Sequence, residues 1–243
     1  FILPEAFTFN EDEMLEVDFS DYIIDPDNDF HQIIAWGNVN TIIGIDGYNV
    51  SMSAGENWFG NESVTFMIND LTNRAVAVDF AMINVISVND APVFVDFPAV
   101  MYFDEDTEMV FDVGMYATDV ENDELTLTVD GLDMVYVEVD GLVATITTPE
   151  NWAGEDELTF TIDDQQGREI AIDYCNFIVE PVNDPPVLNI PADVSFEEDN
   201  ILMFDLGLYT SDVEDDELNI VEVVYEEEHL AYVVDDLMIT FTP

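Results

Sequence analysis

The sequence predicts an all-β chain of tandem β-sandwiches, and three observations predict it. A segment of about ninety-four residues recurs three times, apolar residues alternate with polar ones along short runs, and no segment follows the 3.6-residue period of a helix.

Self-similarity fixes the frame. Trp58 in GENWFGNESVTFMIND matches Trp152 in PENWAGEDELTFTIDD, and Asn89 matches Asn183; 152 minus 58 and 183 minus 89 both give 94. The acidic loop at Asp25 recurs at Asp119 and Asp212, where 119 minus 25 gives 94 and 212 minus 119 gives 93. Repeat one is therefore expected over residues 1–89 with a truncated start, repeat two over 90–183, and repeat three over 184–243 without its last strands. The chain opens inside one repeat and closes inside another, so it reads as an excerpt of something longer.

The middle copy supplies the elements in order. Pro92 to Phe103 forms a first strand, with Pro98 suited to an edge because it cannot donate to a ladder. Leu125, Leu127 and Val129 alternate with Thr126 and Thr128 as in a half-buried strand. Asp130-Gly131 turns the chain, Val135, Val137 and Val139 alternate again, and Asp140-Gly141 gives a second hairpin signal before Val143 to Thr148. Leu158, Phe160 and Ile162 mark another strand, and Glu169 to Val182 the last. About seven short antiparallel strands in such a length fit a Greek-key sandwich of the immunoglobulin-like kind.

Composition supports packed cores under an unusual surface. Hydrophobic residues make up 49% of the 243 and aromatics 12%, too many for a disordered acidic tail. Yet 56 acids face two basic residues, Arg74 and Arg168, with no lysine, for a formal charge of -54. That field repels nucleic acid and anionic lipid, and it opposes compaction unless cations are recruited. No apolar run reaches the ~20 residues of a membrane-spanning helix, so no membrane insertion is expected in this segment.

The linkers are Ser87-Val88-Asn89-Asp90-Ala91-Pro92-Val93 and Pro181-Val182-Asn183-Asp184-Pro185-Pro186-Val187, where proline favours an extended passage between repeats. A simple Asn-Asp turn is the alternative reading. Three spaced acidic loops recur: Asp25-x-Asp27-x-Asp29, Asp119-x-Glu121-x-Asp123 and Asp212-x-Glu214-x-Asp216. An acidic element, Glu11-Asp12 or Glu105-Asp106, follows the start of each repeat, and Asp163-Asp164 closes repeat two.

Together these motifs resemble the cadherin-like tandem repeats of large bacterial surface adhesins, and more distantly the animal cadherins, over essentially the whole chain. The resemblance implies Ca2+ between consecutive repeats. For the first junction it implies Glu11 or Asp12, Glu56, Asn89, Asp90, Asp119, Glu121 and Asp163 as ligands. For the second it implies Glu105 or Asp106, Glu150, Asn183, Asp184, Asp212 and Glu214. Asp123, Asp216, Asp25, Asp27 and Asp29 complete the acidic loops. The sequence departs from the animal pattern where Glu56-Asn57 and Glu150-Asn151 replace an acidic-Arg-Glu element, and Asp163 has the weaker ligand Asn69 as its counterpart.

Chemistry supports the same ion independently, since calcium takes six to eight oxygen ligands and alternating carboxylates direct several oxygens at one centre. About three ions at each of two junctions would offset only about +12 of the charge, so most carboxylates belong to the surface.

Other candidates read as structure. Trp58 and Trp152 precede a glycine and an alternating strand, which suits a core cap better than a glycan platform. Cys175 has Ala81 as its counterpart and is expected to fill a core. His31 and His229 occupy no recurring position, and no nucleophile with a paired base or phosphate loop occurs. The function expected is a non-enzymatic, calcium-stiffened stalk or filament segment of a secreted or cell-surface adhesin, with further repeats of the same chain as neighbours. Two alternatives stand beside it: repeats that themselves bind partner arrays, other copies or carbohydrate, and a non-catalytic appendage of a secreted enzyme.

Overall fold

Alternating burial sorts the residues of each strand into an inner and an outer set, and the inner sets of paired sheets meet in two separate cores. The computed structural model describes residues 1–26, 30–71, 76–131, 133–167, 170–224 and 230–243. Asp27, Asp29, Arg74, Arg168 and His229 lie outside the described residues.

Repeat one contains β1 (Ala6–Asn10), β2 (Met14–Asp18), β3 (Gln32–Trp36), β4 (Thr41–Asp46), β5 (Asn49–Ala54), β6 (Gly60–Asn69) and β7 (Val76–Ile86). They form a four-stranded sheet, β1-β7-β6-β3, and a three-stranded sheet, β2-β5-β4. Repeat two contains β8 (Val93–Phe94), β9 (Val100–Asp104), β10 (Met109–Asp112), β11 (Ala117–Thr118), β12 (Thr126–Asp130), β13 (Tyr136–Asp140), β14 (Val143–Thr147), β15 (Gly154–Asp163) and β16 (Ala171–Glu180). Its sheets, β9-β16-β15-β12 and β10-β14-β13, reproduce those of repeat one, and β8 pairs with β11 beside them. Repeat three contains β17 (Val187–Leu188), β18 (Leu202–Asp205), β19 (Thr210–Ser211), β20 (Ala231–Asp235) and β21 (Met238–Thr242), in which β18-β21-β20 form the three-stranded sheet and β17 pairs with β19.

The all-β sandwich expectation holds, with corrections of detail. The strands are not all antiparallel, because β1 runs parallel to β7 (Ala6↔Met82) and β9 parallel to β16 (Asn176↔Val100). Pro92 to Phe103 is two strands; Asp96 takes a positive φ of 53° and Pro98 follows, so the chain leaves the β8–β11 pair before joining β16. Asp140-Gly141 does close a hairpin, between β13 and β14. Asp130-Gly131 does not: β12 pairs with β15 and β13 with β14, so the chain changes sheets there. Gly131 sits at φ 91°, and a Cβ would meet the Glu157 carbonyl oxygen at 2.7 Å, which explains the residue type. The short strand Met109–Asp112 carried too little alternation to be read.

Phe7, Phe19, Met52, Phe66 and Ile83 fill the first core, and Phe111, Ile146, Leu158, Phe160 and Phe177 the second. Phe19 and Phe66 lie 5.0 Å apart by ring centroid, and Phe111 meets Phe160 edge-on at 5.6 Å. Trp58 and Trp152 pack against these cores, and Cys175 lies fully inside the second, where burial and Asp173 push its thiol up to about 11.

Several recurring carboxylates serve the fold. Asp18, Asp112 and Asp205 each accept a backbone N–H two residues on, from Ser20, Gly114 and Gly207, and so cap a short 3-10 turn in all three copies. Glu62 accepts from the backbones of Val39, Asn40 and Thr41, and its counterpart Asp156 from those of Asp133, Met134 and Val135.

Candidate metal centre

The loop after β11 and the loop after β19 reach back to the linker that precedes them. Asp119 Oδ1 accepts the Asp123 N–H at 3.0 Å, and Asp212 Oδ1 accepts those of Glu214 and Asp216 at 3.2 and 3.1 Å, so the first carboxylate curls each loop. The curl delivers the second to the linker. Glu121 Oε2 accepts the Asp90 N–H at 3.1 Å, and Glu214 Oε2 accepts that of Asp184 at the same distance. From the other side, Glu11 Oε1 accepts the Val88 N–H at 2.8 Å, and Glu105 Oε1 that of Val182 at 2.8 Å.

The result at the first junction is a knot of oxygen atoms. Carboxylate oxygens of Glu11, Asp90 and Glu121 all lie within 4.8 Å of one another. Glu11 is buried to 1% exposure, Asp119 to 9% and Asp164 to 2%. Asn89 donates its Nδ2 to Asp164 Oδ2 at 2.7 Å and to the Asp90 carbonyl at 3.0 Å, which leaves its Oδ1 turned inward. Glu11 Oε2, Asn89 Oδ1 and Asp119 Oδ2 are buried without a hydrogen-bond donor among the described residues, as is Glu214 Oε1 at the second junction. Every one is an acceptor; buried acceptors with no donor are costly, and a hard cation is what such a set satisfies.

Electrostatics agrees. Burial, and then the neighbouring Asp119, Asp164 and Glu121, push Asp123 above the ordinary carboxylate value. At the second junction burial pushes Asp184 up, followed by Asp106, Glu105, Glu150 and Asp212. Asp164 goes the other way, held down first by the Asn89 side chain and then by the Gln166 backbone N–H.

The expected residues divide clearly. Of the pair Glu11 and Asp12, Glu11 enters the cluster, while Asp12 is exposed in a turn at φ 61°. Glu105 repeats Glu11, but Asp106 is also near: Asn151 donates its backbone N–H to Asp106 Oδ1 at 2.9 Å, and its amide, oriented to donate, reaches Asp106 and Asp184. Glu150 lies close enough to raise Asp184, Glu56 is exposed, and Asn183 is exposed with its Nδ2 on the Asp184 carbonyl. Asp163 turns away, both oxygens accepting from Gln165, and Asp164 takes the place facing the linker. Asp164, one residue past the end of β15, continues the inward parity of Leu158, Phe160 and Ile162. Asp25 lies 3.5 Å from His31 Nε2, and His31 Nδ1 lies 3.0 Å from the Tyr48 hydroxyl, an arrangement without counterpart in repeat two, where Leu125 replaces the histidine.

Residues 89–172 match the bacterial Ig domain family. Among solved structures, mouse protocadherin-24 EC1-3 is similar in fold at a TM-score of 0.55, with 12% identity over 100% of this chain and 84% of that one. Human protocadherin-24 EC1-2 aligns at 16% identity and a TM-score of 0.44, covering 64% of this chain and 85% of that one. An endo-fucoidan hydrolase from glycoside hydrolase family 107 aligns at 19% identity and a TM-score of 0.35 over 87% of this chain, which spans 34% of that protein. No curated protein matches the sequence. The repeats are immunoglobulin-like and cadherin-like in fold, and no helix among the described residues is long and apolar enough to cross a membrane.

Proposed function

We propose that this chain is a segment of a calcium-stiffened stalk or filament of a secreted or cell-surface adhesin, non-catalytic and continuous with further repeats of its own kind. The observation that carries the reading is the set of buried oxygens, Glu11 Oε2, Asn89 Oδ1 and Asp119 Oδ2, contributed by repeat one, the linker and repeat two to a single junction. Each repeat, over residues 1–89, 90–183 and 184–243, would keep its own core, while the ion fixes the angle between neighbours.

Glu11, Asn89, Asp90, Asp119, Glu121, Asp123 and Asp164 would hold the ion at the first junction, and Glu105, Asp106, Glu150, Asp184, Asp212 and Glu214 at the second. The donors are oxygens throughout, the set that suits calcium or magnesium; calcium is favoured by the number of carboxylates and their irregular placement. We read the setting as extracellular, where calcium-binding modules work with dissociation constants of about 10⁻⁴–10⁻³ M.

Differential scanning calorimetry in EDTA, in calcium and in matched magnesium tests this. An ion that binds only the folded junction stabilises it by about 2.7 kcal/mol at a hundredfold excess over Kd, so melting should rise most in calcium. Identical melting in all three would end the metal reading, and reproduction of the whole effect by NaCl would assign it to screening.

A further inference from the structure

The outer face of the four-stranded sheet of repeat one is uncharged, in a chain where 56 of 243 residues are acids. No outward position of β1, β3, β6 or β7 carries a carboxylate. The same face of repeat two carries six, at Asp104, Asp130, Glu155, Glu157, Asp163 and Glu180. Their counterparts ninety-four residues earlier are Asn10, Trp36, Asn61, Ser63, Asn69 and Ile86. Every acid that repeat two carries on this face is replaced in repeat one.

The replaced face has a definite form. Register places Trp36, Thr65 and Phe80 on one rung across β3, β6 and β7, and Ile34, Met67 and Val78 on the next. Trp36 is 43% exposed and Phe80 67%, and they stand two strands apart, about 10 Å. Around them Gln32, Asn61, Asn69 and Asn84 offer amides, each a donor and an acceptor at once.

We propose that this face binds an uncharged, extended polysaccharide. Flat aromatic and apolar side chains fit the C–H faces of sugar rings, and the amides fit their hydroxyls. Charge argues for the same occupant. A polyanion would be driven off by the chain's field, and a second copy packed sheet on sheet at about 10 Å would bring two such fields within one Debye length of about 8–10 Å. A neutral glycan meets neither obstacle. This site is additional to the stalk role and independent of the junction ions.

The test is affinity electrophoresis and sedimentation of the full chain against cellulose, xylan, mannan and galactan, with sulfated and uronate polysaccharides alongside. At least one neutral polymer should retain the chain; the anionic ones should not. Trp36→Asp and the pair Asn61→Glu with Ser63→Glu install residues that repeat two already carries on this face, so folding should survive, and each should weaken binding about tenfold or more. Phe80→Ala should do likewise, and Tyr174→Ala, its counterpart in repeat two, should change nothing. Retention by none of the neutral polymers, equal retention of all variants, or a concentration-dependent dimer abolished by Trp36→Asp would each overturn the assignment, the last in favour of a second copy.

Discussion

Glu105 accepts the backbone N–H of Val182 at 2.8 Å across 77 residues of chain, and Glu11 does the same for Val88 at the same distance and separation. One oxygen of each glutamate thus anchors the linker to the end of the preceding sandwich. At Glu11 the other oxygen remains buried without a donor among the described residues, and a carboxylate oxygen of Glu11 lies within 4.8 Å of those of Asp90 and Glu121. The side chain ties a covalent connection and a candidate ion site to one point, so the linker cannot shift without disturbing the oxygens around it.

Removing the proposed ligands from one junction should loosen that junction alone. Asp119→Ala with Glu121→Ala should broaden the distance distribution between repeats one and two, measured by paired spin labels in calcium, and leave that between two and three unchanged. Asp212→Ala with Glu214→Ala should do the reverse. Equal broadening of both, or no response to calcium at either, would reduce these loops to solvated acidic turns.

Asp184 gives a pH signature. Its folded value is raised above 3.8 by burial and then by Asp106, Glu105, Glu150 and Asp212. Between the unfolded and folded values the native state binds more protons, so stability falls as pH rises through that window and the loss is complete above it. In EDTA at pH 7, Asp184→Asn should therefore melt higher than the parent, with the gain shrinking as pH falls toward 3.8. In calcium the order should invert, because a proposed ligand has been lost. A melting difference of one sign in both conditions would refute the assignment.

Glu62 should behave oppositely. Burial pushes it up, but the hydrogen bonds from Thr41, Asn40 and Val39 prevail and hold it below 4.5. Its contribution is present above its unfolded value and is lost as pH falls through the folded one. Glu62→Ala should cost about 1–3 kcal/mol in chemical denaturation at pH 7, with or without calcium, by stranding the donors of the Val39–Thr41 loop. Asp156→Ala should do the same for residues 133–135. A calcium-dependent effect would place these residues in the metal site instead.

Much of the candidate site was legible because its signals are local. Acidic residues two apart in a loop, repeated in register with an Asn-Asp-x-Pro linker, mark the same places in every copy, and Glu121, Asp90 and their counterparts meet there. The choice between adjacent acids was less so. Glu11 over Asp12 and Asp164 over Asp163 depend on which side of a strand end each residue leaves, and the parity that Leu158, Phe160 and Ile162 define reaches Asp164 only beyond the end of the alternating strand. Glu62 was lost among the other acids, for nothing in its neighbours says that a loop 21 residues earlier turns its N–H groups toward it.

The sequence by itself determined the repeat, the all-β class, the faces of most strands and the positions of linkers and acidic loops, since each follows from periodicity within a few residues. Only the tertiary structure decided that β1 and β9 pair in parallel with strands some 76 residues away, that Asp130-Gly131 carries the chain between sheets, and that six scattered substitutions in repeat one fall on a single uncharged face. Those facts arise from contacts between segments far apart in the chain, which are fixed when two sheets close on a shared core.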